Sequence, residues 1–283
     1  MSINQKQLTL DGLAVNYIQA GAPSPDAPPL LLLHGAVGGA RLCWEPAVPL
    51  LAESYQVIAP DLPGFGGSAA LPAMRTQSLL GWLEQFLAAL AIAQAVIVGS
   101  SLGALLARLY AAGQPARVRA LVLVNGGSLP NVPASMRRLA QQPVLGRGAF
   151  QVVARSTLAP NELRRAVHTQ AVLTDSFLAQ ARASAGAFSE LMRAFAADEL
   201  PPQRTPAVPT LLLWGSDDQV NTLQEAERIK AAIPGAALAP VSACGLLPQH
   251  EAPDVFVWQI TRFLANLDRP SRPDLPGVSM LQK

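Results

Sequence analysis

Short apolar runs alternate with stretches of helical periodicity along most of this chain. The runs at 15–18, 30–34, 57–60, 95–99, 118–125, 210–215 and 237–241 predict strands. Several are apolar at nearly every position, as strands buried on both faces are. Helical patterning covers 44–53, 78–92, 102–112, 223–232 and 254–267. This alternation predicts an α/β protein, a mostly parallel sheet flanked by helices. The stretch 127–200 breaks the rhythm. It has no strand pattern, candidate helix starts at Asn161 and Thr174, and Phe188, Leu191, Met192 and Phe195 at helical spacing. It predicts an all-helical cap inserted over one end of the sheet. The core is then 1–126 plus 201–267. A tail at 268–283, with Pro270, Pro273 and Pro276, is expected to be flexible.

Composition narrows the function classes. Of 283 residues, half are hydrophobic and 14% are charged, with mean hydropathy +0.27, which excludes a disordered chain. Twenty-one basic against nineteen acidic side chains leave +2, so no strong field predicts nucleic acid or a membrane surface as partner. No apolar stretch approaches a membrane span of roughly 20 residues. The first seven residues are polar and do not read as a signal peptide. Cys43 and Cys244 are too few for a disulfide framework, so a reducing cytoplasmic setting is expected. Two cysteines and three histidines without close pairs give no metal site. There is no Gly-x-Gly-x-x-Gly after a strand and no P-loop, so no cofactor is expected. The expected partner is a small molecule, and a homodimer stays open.

The most informative stretch is Val96-Ile97-Val98-Gly99-Ser100-Ser101-Leu102-Gly103-Ala104. It reads as strand, Gly-x-Ser-x-Gly, then helix. A strand running straight into a helix forces a tight, strained turn, and the two glycines remove side chains that would collide there. Ser101 then projects its hydroxyl above the sheet beside a helix N-terminus, where dipole and N–H groups favour negative charge.

With these features the chain resembles the α/β-hydrolase fold superfamily, in its small-cap branch of esterases, C–C bond hydrolases and epoxide hydrolases. The resemblance rests on several further motifs in family order. They are Asp11-Gly12; His34-Gly35-Ala36-Val37-Gly38-Gly39 with Trp44 behind it; and Asp61-Leu62-Pro63-Gly64-Phe65-Gly66-Gly67-Ser68. Then come Gly215-Ser216-Asp217-Asp218 and Cys244-Gly245-Leu246-Leu247-Pro248-Gln249-His250-Glu251-Ala252-Pro253. The resemblance implies Ser101 as nucleophile and Asp218 as the orienting acid, with Asp217 a turn residue. It implies an oxyanion hole from the N–H groups of Ala36 (or Val37) and Leu102. His34 is implied as a structural anchor of the oxyanion loop. Trp44, Phe65 and Leu246 are implied in the pocket wall, with cap Phe or Met residues. Serine at 101 argues against the epoxide hydrolase and dehalogenase chemistries, which use aspartate there.

The same resemblance exposes a gap. The family carries Gly-His ahead of Pro-x-x-Glu-x-Pro, and that histidine is the general base. Here the position is Leu246, with every flanking position matched. Leucine accepts no proton. His250, four residues on, is the first candidate for a substitute, ahead of His168 in the cap. Loss of the base from a serine triad costs on the order of 10⁶ in kcat. Three readings follow: a hydrolase-fold enzyme with weak hydrolysis or an altered, non-hydrolytic reaction; a catalytically silent binding or scaffold protein; or a base-inactivated serine esterase. The substrate class for the first is a small to medium apolar carbonyl compound, an ester, thioester or ketone. The eight arginines of 127–200, set among five acids, read mainly as a solvated helix surface.

Overall fold

A computed structural model describes residues 2–267 apart from 25, 26, 199, 202 and 203. The tail expected to be flexible, 268–283, lies outside the described residues. Eight strands form one sheet: β1 Asn4–Leu10, β2 Leu13–Ala20, β3 Leu30–Leu33, β4 Val57–Pro60, β5 Ala95–Ser100, β6 Val118–Val124, β7 Thr210–Gly215 and β8 Ala237–Val241. Their order is β1-β2-β4-β3-β5-β6-β7-β8. The β1–β2 and β2–β4 pairs are antiparallel and the others parallel.

The central strands are apolar throughout because each face meets its own helical layer. Leu31, Leu33, Ile97, Leu121 and Leu123 enter one buried cluster, and their neighbours Leu30, Leu32, Val96, Val98 and Val122 enter another. That alternation is the period-two geometry of a strand. Helices α3 (Thr76–Ala89) and α4 (Leu102–Gly113) cover the first face through Leu79, Leu83, Phe86 and Leu105. Helices α1 (Ala40–Trp44) and α2 (Val48–Leu51) cover the second. Among the described residues between β6 and β7 stand five further α-helices: α5 Ala134–Gln141, α6 Leu145–Thr157, α7 Pro160–Ala166, α8 Asp175–Ala183 and α9 Ala185–Ala197. The Thr174 side chain caps α8 by accepting from the Phe177 N–H at 3.1 Å. Helix α10 (Leu223–Ala232) joins the last two strands, and α11 (Pro248–Glu251) and α12 (Pro253–Leu267) close the chain, α12 on the second face.

Two elements differ from the sequence pattern. Strand β1 is absent from it, because as an edge strand it is exposed along most of its length and reads Asn-Gln-Lys-Gln. Its register is set by a two-residue turn at Asp11-Gly12, where both φ angles are positive, +48° and +80°. The single helix expected at 44–53 is two short ones. Pro46 has no N–H to continue the α1 ladder, and Pro49 starts α2 afresh.

Candidate functional site

Ser101 stands at the junction of β5 and α4 with φ +53° and ψ −119°, a conformation that costs on the order of 1–3 kcal/mol. Backbone packs against it on all sides. A Cβ on Gly103 would lie 2.3 Å from the Leu33 carbonyl oxygen, and one on Gly99 2.5 Å from that of Gly103. The Ser101 N–H donates to the Val124 carbonyl at 2.9 Å, fixing the turn to β6.

The loop after β3 is anchored by polar groups buried beneath it. His34 is fully buried; Nδ1 meets the Gly35 carbonyl at 2.9 Å, and Nε2 lies 2.8 Å from the Leu62 N–H. Since an amide must donate to Nε2, the ring is the neutral Nδ1–H tautomer. Burial lowers its pKa, in keeping with that form. Asp61 accepts from Ala40 at 2.7 Å and Gly67 at 3.0 Å, tying the loop to the segment after β4. From the cap, the Ser184 hydroxyl accepts from the Gly38 N–H at 3.2 Å and reaches the Ala36 carbonyl at 3.0 Å. The oxyanion-loop candidate Ala36 is thus held by a residue nearly 150 positions away, which no local signal shows. Leu102, its candidate partner, opens α4.

Asp218 is buried beyond the end of β7. Its Oδ1 accepts from the N–H groups of Val220 at 2.7 Å and Asn221 at 3.0 Å. Its Oδ2 accepts from the side-chain amide of Asn125 at 2.5 Å. Burial raises the Asp218 pKa, and these donated bonds oppose the rise. Asn125 was not singled out by the sequence, yet it is the hub of this corner. Fully buried, with φ +43°, it also accepts from the Gly215 N–H at 3.2 Å and reaches the Gly245 carbonyl at 3.2 Å. The acid and the peptide preceding Leu246 therefore share one donor. The available signal was an Asn-Gly step directly after an apolar run, where asparagine tolerates the left-handed conformation.

Above Ser101 lies a cleft with two lobes. The larger, about 480 Å³, is lined by Ala36, Leu102, Phe188, Gln219 and Leu246 among others. The smaller, about 270 Å³, extends past Gly126 and Phe195. Ser101, Leu102, Met192 and Asn221 belong to both. Leu246 thus faces the same space as Ser101. Among the described residues lining the two lobes, the only titratable side chains are Glu162 and Arg165, which pair with each other at 3.0 Å.

Four residues expected at the site stand elsewhere. Trp44 is fully buried on the far face of the sheet, packed near Phe256, because α1 turns it into the second cluster. Phe65 is buried edge-on against the His34 ring, where it supports the loop rather than lining the cleft. His250 lines neither lobe. Its Nε2 lies 2.7 Å from the Leu42 carbonyl and 3.1 Å from that of Cys43, and its ring meets Phe177. Burial lowers its pKa. His168 pairs with Asp217 at 2.7 Å and also lies outside the cleft lining. Cys43 and Cys244 are buried, and burial pushes both thiols up to about 12, far from a reactive thiolate.

The loop carrying Leu246 is stitched to the cap. Glu251 accepts from Gly245 and Leu247 through one oxygen, at 3.0 and 3.1 Å, and from His168 and Thr169 through the other, at 2.7 and 2.8 Å. The Leu246 N–H itself donates to Ala166 at 2.8 Å. Glu251→Ala orphans four donors at a partly solvated seam, so a loss of about 2 kcal/mol is expected in urea unfolding. Limited proteolysis should show new cleavage near 166–169; an unchanged pattern and stability would refute this role for the carboxylate.

Comparison with known proteins agrees with this geometry. Residues 28–253 match the α/β hydrolase fold family, and the chain belongs to it. It is 31% identical over 283 residues to a 2-hydroxymuconate semialdehyde hydrolase of Pseudomonas sp. strain CF600, covering 93% of this chain and 94% of the relative. A solved putative lipase of Acinetobacter baumannii superposes with TM-score 0.76 at 25% identity, covering 94% of this chain and 92% of that one. A 2-hydroxy-6-oxo-6-phenylhexa-2,4-dienoate hydrolase from Rhodococcus sp. strain RHA1 gives TM-score 0.72 at 24% identity, over 93% and 99% of the two chains, which supports the fold alone.

Proposed function

We propose that this protein is an enzyme of hydrolase ancestry that binds a small to medium apolar ester, thioester or ketone over Ser101 and works without an imidazole base. The observation that carries this reading is the pairing of a strained Ser101 turn with Leu246 in one cleft, with no histidine among the described lining residues. Ala36 and Leu102 are its oxyanion donors, and Asp218 is retained as a buried carboxylate held by Asn125. The cleft wall is mostly aliphatic, aromatic and methionine, which suits an apolar ligand. Hydrolase relatives named for semialdehyde and oxo-acid substrates make a carbonyl compound the natural class. Two unpaired, buried cysteines suit a cytoplasmic setting.

A serine hydroxyl without a base is a poor nucleophile, so binding and an oxyanion hole leave about 10³–10⁴-fold acceleration over water. Short-chain p-nitrophenyl esters are therefore expected to turn over slowly, and Ser101→Ala is expected to remove what turnover there is. Efficient turnover by the unmodified chain would overturn the base-free reading. A binding protein would use the same cleft without turnover, and tight carbonyl-ligand binding with no Ser101-dependent ester hydrolysis would favour it. The retention of a costly serine turn favours catalysis.

A further inference from the structure

Among the described residues, five of the eight large apolar side chains that are exposed fall on one hairpin, α5–α6: Met136, Val144, Leu145, Val152 and Val153. The distribution around α6 is inverted at its outer side. Gly146, Phe150 and Ala154, spaced four apart, face the protein interior. The opposite pole carries Leu145, Gly148, Val152 and Arg155, and Leu145 and Val152 are 71% and 69% exposed. A solvated helix lines such a pole with polar and charged groups; here two of its three side chains are aliphatic and one is an arginine. Arginine flanks them. Residues 134–157 contain Arg137, Arg138, Arg147 and Arg155 and not one carboxylate or lysine. Arg147 is paired at 2.9 Å to Glu190 on α9, while Arg138 on α5 and Arg155 on α6 are exposed.

We propose that the α5–α6 hairpin is a docking surface for an anionic lipid bilayer. Aliphatic side chains on the outermost pole enter the headgroup region, and the flanking arginines meet lipid phosphates. The charge pattern separates this occupant from a second copy of the chain. A two-fold pair through this face would set two all-basic hairpins against each other, which repels. The whole-chain balance of +2 hides this, because acids outside residues 134–157, Glu190 at Arg147 among them, offset the four arginines. The last turn of α6 and the residue after it, Ser156, Thr157 and Leu158, line the Ser101 cleft. Docking would thus hold the cleft beside an apolar phase from which hydrophobic ligands partition. The inference does not depend on which reaction the cleft performs.

The test is co-sedimentation of the full chain with extruded vesicles of phosphatidylcholine alone and of phosphatidylcholine with phosphatidylglycerol. The chain is expected to bind the anionic vesicles and to be released as salt rises. Arg138→Gln and Arg155→Gln are each expected to weaken binding about fivefold, and the double variant roughly thirtyfold. Val152→Asp is expected to weaken it at least as much as one arginine, with an unchanged circular dichroism melt because the position is solvent-facing. The arginine variants carry the test if Val152→Asp fails to fold. Absence of the wild-type chain from the anionic pellet would overturn the proposal, as would binding indifferent to these variants. A wild-type dimer in sedimentation velocity that Val152→Asp splits, without vesicle binding, would assign the face to self-association instead.

Discussion

Leu246→His is expected to raise p-nitrophenyl ester hydrolysis at least ~10²-fold, the lower end of what a positioned general base contributes. The position lines the cleft with Ser101, so an imidazole there shares space with the hydroxyl it must deprotonate. The acid is close by, since the Asn125 amide touches both Asp218 and the carbonyl of Gly245. Leucine and histidine have similar volumes, so overpacking is small. The loop's shape is held independently of residue 246's side chain, by Glu251 and the Leu246–Ala166 backbone bond. The gain stays below a full repair because Asp218 already accepts three bonds, which lowers its pull on a new imidazole. It should vanish in the double variant with Ser101→Ala. An intact fold with no gain would mean that the cleft has been remodelled beyond one lost base.

Asn125→Asp is expected to give the largest stability change, and one with a definite pH sign. The substitution keeps the shape and tolerates φ +43°, but it sets a second carboxyl against Asp218 Oδ2 where an amide donated at 2.5 Å. Two buried carboxyls at that distance share one proton in the native state, so the pair's upper pKa rises two or more units above the ordinary carboxylate value. A raised native pKa means that the folded state holds a proton the unfolded chain releases. Stability is then retained in acid and lost as pH rises from about 4 through the raised value, at about 1.4 kcal/mol per unit. The variant should lie close to wild type near pH 4 and about 3 kcal/mol below it at neutral pH, a fall of roughly 5–10 °C in Tm. Wild-type Asp218, itself raised by burial, has the same sign with smaller amplitude. Urea unfolding across this range tests it; a deficit that stays constant with pH would show that Asn125 acts through its β7 contacts alone.

The sheet was legible because its central strands meet two helical layers and so are apolar at every position, and because Gly-x-Ser-x-Gly has one local geometry. Edge strand β1 was not, since it needs no apolar face. Trp44 and Phe65 were placed in the pocket by their motifs, yet a motif fixes neighbourhood and not the direction of a side chain. Trp44 turns to the far face and Phe65 under His34. Asn125, Ser184 and Glu251 were invisible as site residues because their partners lie 93, 148 and 83 residues away in the Asp218, Ala36 and His168 contacts. The exposed pole of α6 was lost in a whole-chain charge sum. The reading of Leu246 as the vacant base position rests on sequence alone, since an absent residue type in a matched motif needs no tertiary knowledge.

The most direct measurement is the labelling of Ser101 in the unmodified chain by a fluorophosphonate, followed by mass spectrometry of the modified peptide. This reagent reads hydroxyl nucleophilicity without requiring the right substrate. A serine with no base in its cleft is expected to label slowly and incompletely at neutral pH, with any label on Ser101. Rapid stoichiometric labelling of Ser101 would contradict the account, because some other group would then be taking its proton.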